Sequence, residues 1–312
     1  MNTNFAIAIH GGAGTLVKGM MTPELEAKYK AALQNALSEG YKVLEQGRSA
    51  IDAVEIAVKH LEDSPLFNAG KGSVFTAEET HEMDASIMDG KTRNAGAVSL
   101  ITGIKNPVSL ARDVMEQSEH VFLAGEGAMQ FAKQLDYKVE EASYFYDEFR
   151  HKQWLEIKDS DHFQLDHAKK RDSKFGTVGA VARDQKGNIA AATSTGGMTN
   201  KKWGRVGDSP MIGAGTYANN TTCAVSCTGS GEYFIRGVVA YDVSCLMEFK
   251  GLSVEAASNE VIHKRVLEIG GDGGLIAIDS QGNIAMPFNT EEMYRAYKTS
   301  TGNEKVSIYK EY

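Results

Sequence analysis

The sequence predicts a layered α+β fold, and three observations carry that prediction. The apolar run Phe5 to Ile9 has the length and continuity of a strand buried on both faces. Two later segments, 181–190 and 276–285, share the form apolar-Ala-x-Asp-x-x-Gly-Asn-Ile-Ala. Each reads as two strands joined by a tight turn, with the glycine supplying the positive φ. Helical patterns come in pairs, not as single helices alternating with single strands, which favours mostly antiparallel sheet over a doubly wound one.

The elements follow in order. Phe5 to Ile9 is the first strand, and "HGGAG" (10–14) follows it as a tight loop. A helix spans 22–47, with Thr22 as cap, Pro23 in the first position and Gly47 as terminator. A second helix spans 49–63, capped by Ser49, with Ile51, Val54, Val58 and Leu61 on one stripe. Residues 68–90 read as short strands and turns, and 95–107 as a hairpin leading into a helix at 107–117. From Phe145 to Phe175 the chain turns polar and loses periodicity, as a linker does. Between the two hairpins lie helices at 231–251 and 253–271; the first is expected to place Phe234, Val238, Tyr241 and Cys245 on one face.

Composition bounds the function. The chain has 312 residues, 42% hydrophobic and 24% charged, with net charge −8. That is ordinary globular composition, and by length alone it would suit about two domains. The acidic balance argues against nucleic acid or a membrane surface as the main partner. Three cysteines, Cys223, Cys227 and Cys245, fit no zinc spacing and read as reduced thiols in a cytosol-like compartment. The segment before Phe5 has no basic residue, and the apolar run is too short for a signal peptide or a span. "HGGAG" lacks dinucleotide-loop spacing, and neither GxxxxGK[ST] nor GxSxG occurs.

The chemistry concentrates at Gly176-Thr177, where the polar run meets the strand "TVGAVA". A threonine hydroxyl needs a base, and no histidine stands in a helpful sequence context. A cut before Thr177 would supply one. The new α-amine, with a pKa of about 7.7–8.0, can take the proton of its own residue's hydroxyl. Gly176 leaves its carbonyl open to attack by that hydroxyl. Taken alone, Gly-Thr is an ordinary strand start, and Arg205-x-x-Asp208 an ordinary surface ion pair.

The neighbouring motifs point further. "GTVGAVARDQKGNIAAATSTGG", "NKKWGRVGDSPMIGAGTYANN", "CAVSCTGSGE", "HGGAG" and "SPLFNAGKGSVFT" resemble the plant-type asparaginase / isoaspartyl peptidase family of N-terminal nucleophile (Ntn) hydrolases. The resemblance runs from about His10 to Asn289 and weakens in the linker and the last twenty or so residues. It implies an α+β four-layer αββα sandwich of two mostly antiparallel sheets. It implies one domain over 1–312, cut after Gly176 into 1–176 and 177–312, with a mobile linker from about 155 to 176.

The same resemblance implies the roles. Thr177 is the nucleophile, and Thr195 holds it in register. Thr228 and the Gly229 amide stabilise an oxyanion; Ser230, where a threonine or a similar small residue is expected, departs from the pattern without touching that donor. Arg205 grips a substrate α-carboxylate and Asp208 the α-ammonium. Asn68 orients groups near the nucleophile. The loop of Leu61, Glu62, Ser64, Phe67, Ala69 and Lys71 holds a structural sodium ion by backbone carbonyls, with no cofactor for catalysis. The implied substrates are L-asparagine and β-aspartyl dipeptides, the implied assembly a homodimer of cleaved units, and the implied location cytoplasmic. A glycosylasparaginase-like amidase is an alternative; glycine, not an acidic residue, precedes Thr177. A non-catalytic amino-acid-binding protein is another, and an uncut chain would mark it.

Overall fold

Two β-sheets stack face to face in the computed structural model, which describes residues 4–159 and 176–310. The first half supplies β1 (Ala6–Gly14), α1 (Pro23–Glu45), α2 (Ala50–Glu62), β2 (Met83–Asp89), β3 (Ala95–Ile101), α3 (Pro107–Gln117) and β4 (Phe122–Ala124). Three helices follow, α4 (Gly125–Gln134), α5 (Ala142–Phe145) and α6 (Glu148–Ile157). The second half supplies β5 (Val178–Arg183), β6 (Ile189–Thr195), β7 (Thr216–Ala218), β8 (Cys223–Gly229), α7 (Gly231–Gly237), α8 (Val239–Lys250), α9 (Val254–Glu260) and α10 (Val266–Glu268). A π-helical turn, Val261–Arg265, joins the last two helices. β9 (Gly273–Asp279), β10 (Ile284–Ala285), β11 (Glu292–Thr299) and β12 (Glu304–Tyr309) close the chain.

The large sheet runs β12-β11-β1-β5-β6-β2-β3-β4, antiparallel except for β3 beside β4. The small sheet runs β10-β9-β8-β7 and is antiparallel throughout. Strand alternation assigns the layers. Ile7 and Ile9 turn towards the helices α1 to α3, while Ala6 and Ala8 turn towards the small sheet. On the other side α8 and α9 cover the small sheet through Val243, Leu246 and Ala257. The result is the expected αββα order, with small residues letting the two sheets approach. Among the described residues no helix is long and apolar enough to cross a membrane.

Local chemistry explains the elements that the sequence made legible. Thr22 Oγ1 accepts from Leu25 N at 3.3 Å, Ser49 Oγ accepts from Asp52 N at 3.3 Å, and Gly47 takes φ 76° just past α1. Each echoed hairpin is built on its aspartate. Asp184 Oδ1 accepts from Lys186 N and Asn188 N at 2.8 and 3.0 Å; Asp279 Oδ1 accepts from Gln281 N and Asn283 N, both at 2.9 Å.

Four expectations are corrected. "HGGAG" is not a loop: it continues β1, with a register shift between His10 and Gly12 made possible by φ 115° at Gly12. The hairpin at 95–107 is instead β2–β3, turning at 90–94. The helix at 231–251 breaks at Val238, which is left-handed (φ 47°) and half exposed, so Phe234 and Val238 share no buried face. The stretch read as aperiodic from Phe145 begins with helix, since α6 covers Glu148–Ile157; residues 160–175, where most of the expected linker falls, lie outside the described residues.

Candidate active site

Thr177 stands at the start of β5, one residue before the pairing of Val178 with Ser194. Continuing that antiparallel register sets Thr177 opposite Thr195 at the end of β6. Both lie on the face that turns towards the small sheet, since strand residues two apart share a face. They line one small cavity with Ala13, Gly176, Gly197, Met198, Arg205, Gly207, Asp208, Ser209 and Gly229. Its volume is about 30 Å³, room for about one water molecule. Gly176 crowds this space: a Cβ built on it would stand 2.9 Å from Thr228 Oγ1.

The flanking groups are held by buried bonds. Thr195 Oγ1 accepts from Gly197 N at 3.0 Å, which tightens the "TSTGG" turn. Asn68 braces the same turn; its Nδ2 donates to the Gly197 carbonyl at 2.7 Å, and its own carbonyl accepts from Gly196 N at 3.0 Å. Asn68 does not line the cavity itself. Thr228 Oγ1 accepts from Ala13 N at 3.3 Å, which ties β8 to the end of β1.

The two charged residues behave differently. Arg205 lines the cavity, yet Nε and Nη2 are engaged by Glu232 at 2.8 and 3.0 Å. Desolvation opposes ionisation of Glu232, but the Arg205 bond outweighs it and holds the carboxyl below its usual range. Asp208 is buried, and desolvation pushes its carboxyl up to about 7 even with the Arg205 charge nearby. Its Oδ2 has no hydrogen-bond partner among the described residues. A buried carboxylate oxygen left open in a cavity is placed to receive a donor from outside the protein.

The sequence model of the asparaginase family matches residues 3–308. The chain belongs to that family. It is 51% identical to the isoaspartyl peptidase of Escherichia coli (strain K12), over 98% of this chain and 96% of that protein. It is 44% identical to a plant-type L-asparaginase of Pyrococcus abyssi (strain GE5 / Orsay), over 96% and 98%. It is 42% identical to the probable isoaspartyl peptidase/L-asparaginase 2 of Arabidopsis thaliana, over 98% and 99%.

In this asparaginase-family chain the cavity gathers Gly176, Thr177, Thr195, Arg205, Asp208 and Gly229, with Thr228 directly behind. Sequence reasoning missed Ser209, whose Oγ lies 3.3 Å from Thr177 Oγ1. Its only signal was its place after Asp208 in "GRVGDSP". It also missed Glu232, which has no motif of its own. His10, set aside for its context, proves to be buried against the Thr177 main chain. Burial pushes its imidazole down to about 3, only partly offset by the Thr177 backbone. Nε2 faces Ser226 Oγ at 2.8 Å, so this neutral ring is not placed to deprotonate Thr177.

The loop after α2 can be tested for a hard cation. A Cβ at Gly70 would stand 2.5 Å from the Glu62 carbonyl oxygen, and one at Gly72 would stand 2.1 Å from that of Phe67. Glycine at both positions lets the main chain pass close to those oxygens. The carbonyls of Phe67 and Ala69 each accept one main-chain bond, from Ala69 and Gly72, and keep a lone pair, whereas that of Leu61 accepts from both Asp63 and Ser64. Among the described residues no group of three or more His, Cys, Asp or Glu side chains is placed to hold a metal. The main-chain oxygens therefore fit a hard monovalent cation better than a transition metal.

Proposed function

We propose that the protein is a self-cleaving threonine amidohydrolase that hydrolyses the β-amide of L-asparagine and the isopeptide bond of β-aspartyl dipeptides. The observation that carries this reading is one cavity shared by Gly176, Thr177, Thr195, Arg205 and Asp208. The names of the E. coli and Arabidopsis relatives support the substrate class.

Maturation comes first. The Thr177 hydroxyl attacks the Gly176 carbonyl carbon, the Gly176-Thr177 amide bond breaks to leave an ester and a free amine, and water hydrolyses the ester. Fragments 1–176 and 177–312 result. They stay together, because β1 from the first is paired between β5 and β11 of the second. Departure of Gly176 from the cavity makes room for substrate; the 30 Å³ present before the cut does not.

Turnover then uses the same hydroxyl. The Thr177 amine takes its proton, and the oxygen attacks the substrate β-carbonyl. Thr228 and the Gly229 amide stabilise the oxyanion, a donor role typically worth about 10²–10³ in kcat. Ammonia or an amino acid leaves, and water hydrolyses the aspartyl-Thr177 ester to free aspartate. Arg205 holds the α-carboxylate once it turns from Glu232, and Asp208 holds the α-ammonium. Thr195 and Asn68 keep the nucleophile's surroundings rigid. A sodium ion held by the carbonyls of Leu61, Glu62, Ser64, Phe67, Ala69 and Lys71 would brace the loop that carries Asn68. The family resemblance alone supports a homodimer of cleaved units, and the three free cysteines support a reducing, cytoplasmic location.

The test is a denaturing gel with N-terminal sequencing. Two fragments, the second beginning TVGAV, together with release of aspartate from a β-aspartyl dipeptide, are expected. A chain that stays whole after prolonged incubation at neutral pH overturns the reading.

A further inference from the structure

Between the sheets, in a layer otherwise apolar and rich in alanine, runs a chain of buried hydroxyls. His10 Nε2 lies 2.8 Å from Ser226 Oγ, and Ser226 Oγ lies 2.7 Å from Thr193 Oγ1. Thr216 Oγ1 donates to Thr193 Oγ1 at 2.5 Å. Ser86 Oγ lies 2.8 Å from Thr216 Oγ1 and 2.6 Å from the Ser209 carbonyl oxygen. All five side chains are 0% exposed and come from five strands, β1, β8, β6, β7 and β2.

Both ends of the chain return to Thr177. The His10 ring lies against the Thr177 backbone. Ser209, whose carbonyl accepts from Ser86, holds its own hydroxyl 3.3 Å from Thr177 Oγ1. Replacing buried hydrogen-bonded groups by apolar ones of the same shape can be nearly neutral, so stability alone does not call for a polar circuit here. The backbone also makes room for it. Position 179, paired with His10 across β1 and β5, is glycine. A Cβ there would stand 1.9 Å from Ser226 Oγ and 2.4 Å from His10 Nε2.

Proton accounting gives the circuit a direction. Thr216 donates to Thr193; if Thr193 donates to Ser226 and Ser226 to Nε2, the imidazole proton sits on Nδ1. Nδ1 has no partner within hydrogen-bonding geometry among the described residues. The ring's other interaction is with the Thr177 backbone, the main chain that changes on cleavage in the reading above.

We propose that this circuit positions the nucleophile, with His10 as the positioning residue: the circuit meets the Thr177 main chain through His10 at one end and holds the Ser209 carbonyl through Ser86 at the other. The proposal rests on the reading of Thr177 as nucleophile. It assigns no proton transfer to His10.

Thr193 is the place to test it, using dipeptide hydrolysis by fully cleaved protein. Thr193→Val keeps the volume and removes the hydroxyl; Thr193→Ser keeps the hydroxyl. A displacement of ~1 Å can cost about 10²-fold in rate. The valine variant should therefore lose roughly 10- to 100-fold in kcat, with KM within about threefold. The serine variant should keep kcat within about threefold. Equal losses in both variants, no loss in either, or a change confined to KM overturns the proposal. If the valine variant does not fold, Ser86→Ala at the other end is read the same way: reduced kcat at unchanged KM supports the circuit, and wild-type kcat overturns it. Thr177→Ala is measured in parallel. If it stays whole and inactive while the valine variant matches wild type, the circuit alone falls. If it is cut and active, the nucleophile reading falls with it.

Discussion

Replacing Gly12 with alanine probes how closely the first strand is fitted to the proposed cleavage point. Gly12 has φ 115°, a conformation that strains any L side chain by about 1–3 kcal/mol. Its new Cβ would stand 2.4 Å from Gly176 N and 2.9 Å from Gly176 Cα. Ordinary contact begins at 3.4 Å, so Gly176 must retreat by 3.4 − 2.4 = 1.0 Å, or β1 must yield. Both partners are backbone, and β1 is locked between β5 and β11, so the weaker neighbour, Gly176, moves. A displacement of ~1 Å between nucleophile and carbonyl costs about 10²-fold in rate. The assay is the first-order disappearance of the full-length band on denaturing gels, with circular dichroism to establish folding. A folded Gly12→Ala protein that cleaves within about threefold of wild type would refute the reasoning.

Other outcomes follow from the same geometry. Thr177→Ala should fold, remain whole and lack activity; a two-band pattern on the gel would remove Thr177 as the nucleophile. Arg205→Ala should raise KM strongly and spare self-cleavage, which needs no substrate; if cleavage stops too, Arg205 is structural. Glu232→Gln should free Arg205 for the substrate carboxylate. A half-exposed pair is worth about 0.2–1 kcal/mol, so KM should fall up to about fivefold, and a rise in KM would contradict the competition. Asp208 must be ionised to hold an ammonium, and burial raises its carboxyl to about 7. Below that pH it is protonated and KM should climb; above it KM should level off. Asp208→Asn should have a high KM without that inflection, and an inflection that persists in the variant would assign it elsewhere.

What was legible in the sequence was short-range. Asp184 and Asp279 fold their turns with bonds to residues two and four along, so the hairpins could be read from ten residues each. Thr22 and Ser49 cap their helices across three residues. The break at Val238 could not be read this way. There Ala240 N and Tyr241 N donate to the carbonyls of Ala214 and Gly213, at 3.0 and 2.8 Å. Tertiary bonds thus replace the helical ones, against the preference of a β-branched residue. The C-terminal strands were equally hidden. β11 carries little motif, yet it pairs along the full length of β1.

The sequence by itself determined the order of the threonines, the glycine before Thr177, and the two-residue alternation of the strands. That alternation sets Thr177, Thr193 and Thr195 on one face of the large sheet. Only the tertiary structure decided what meets that face. It brought Ser226 and Thr216 across from the small sheet, seated His10 against the Thr177 backbone, and closed Glu232 on Arg205. The physical reason is distance along the chain. His10 and Ser226 are 216 residues apart, and no local propensity relates them until two sheets stack.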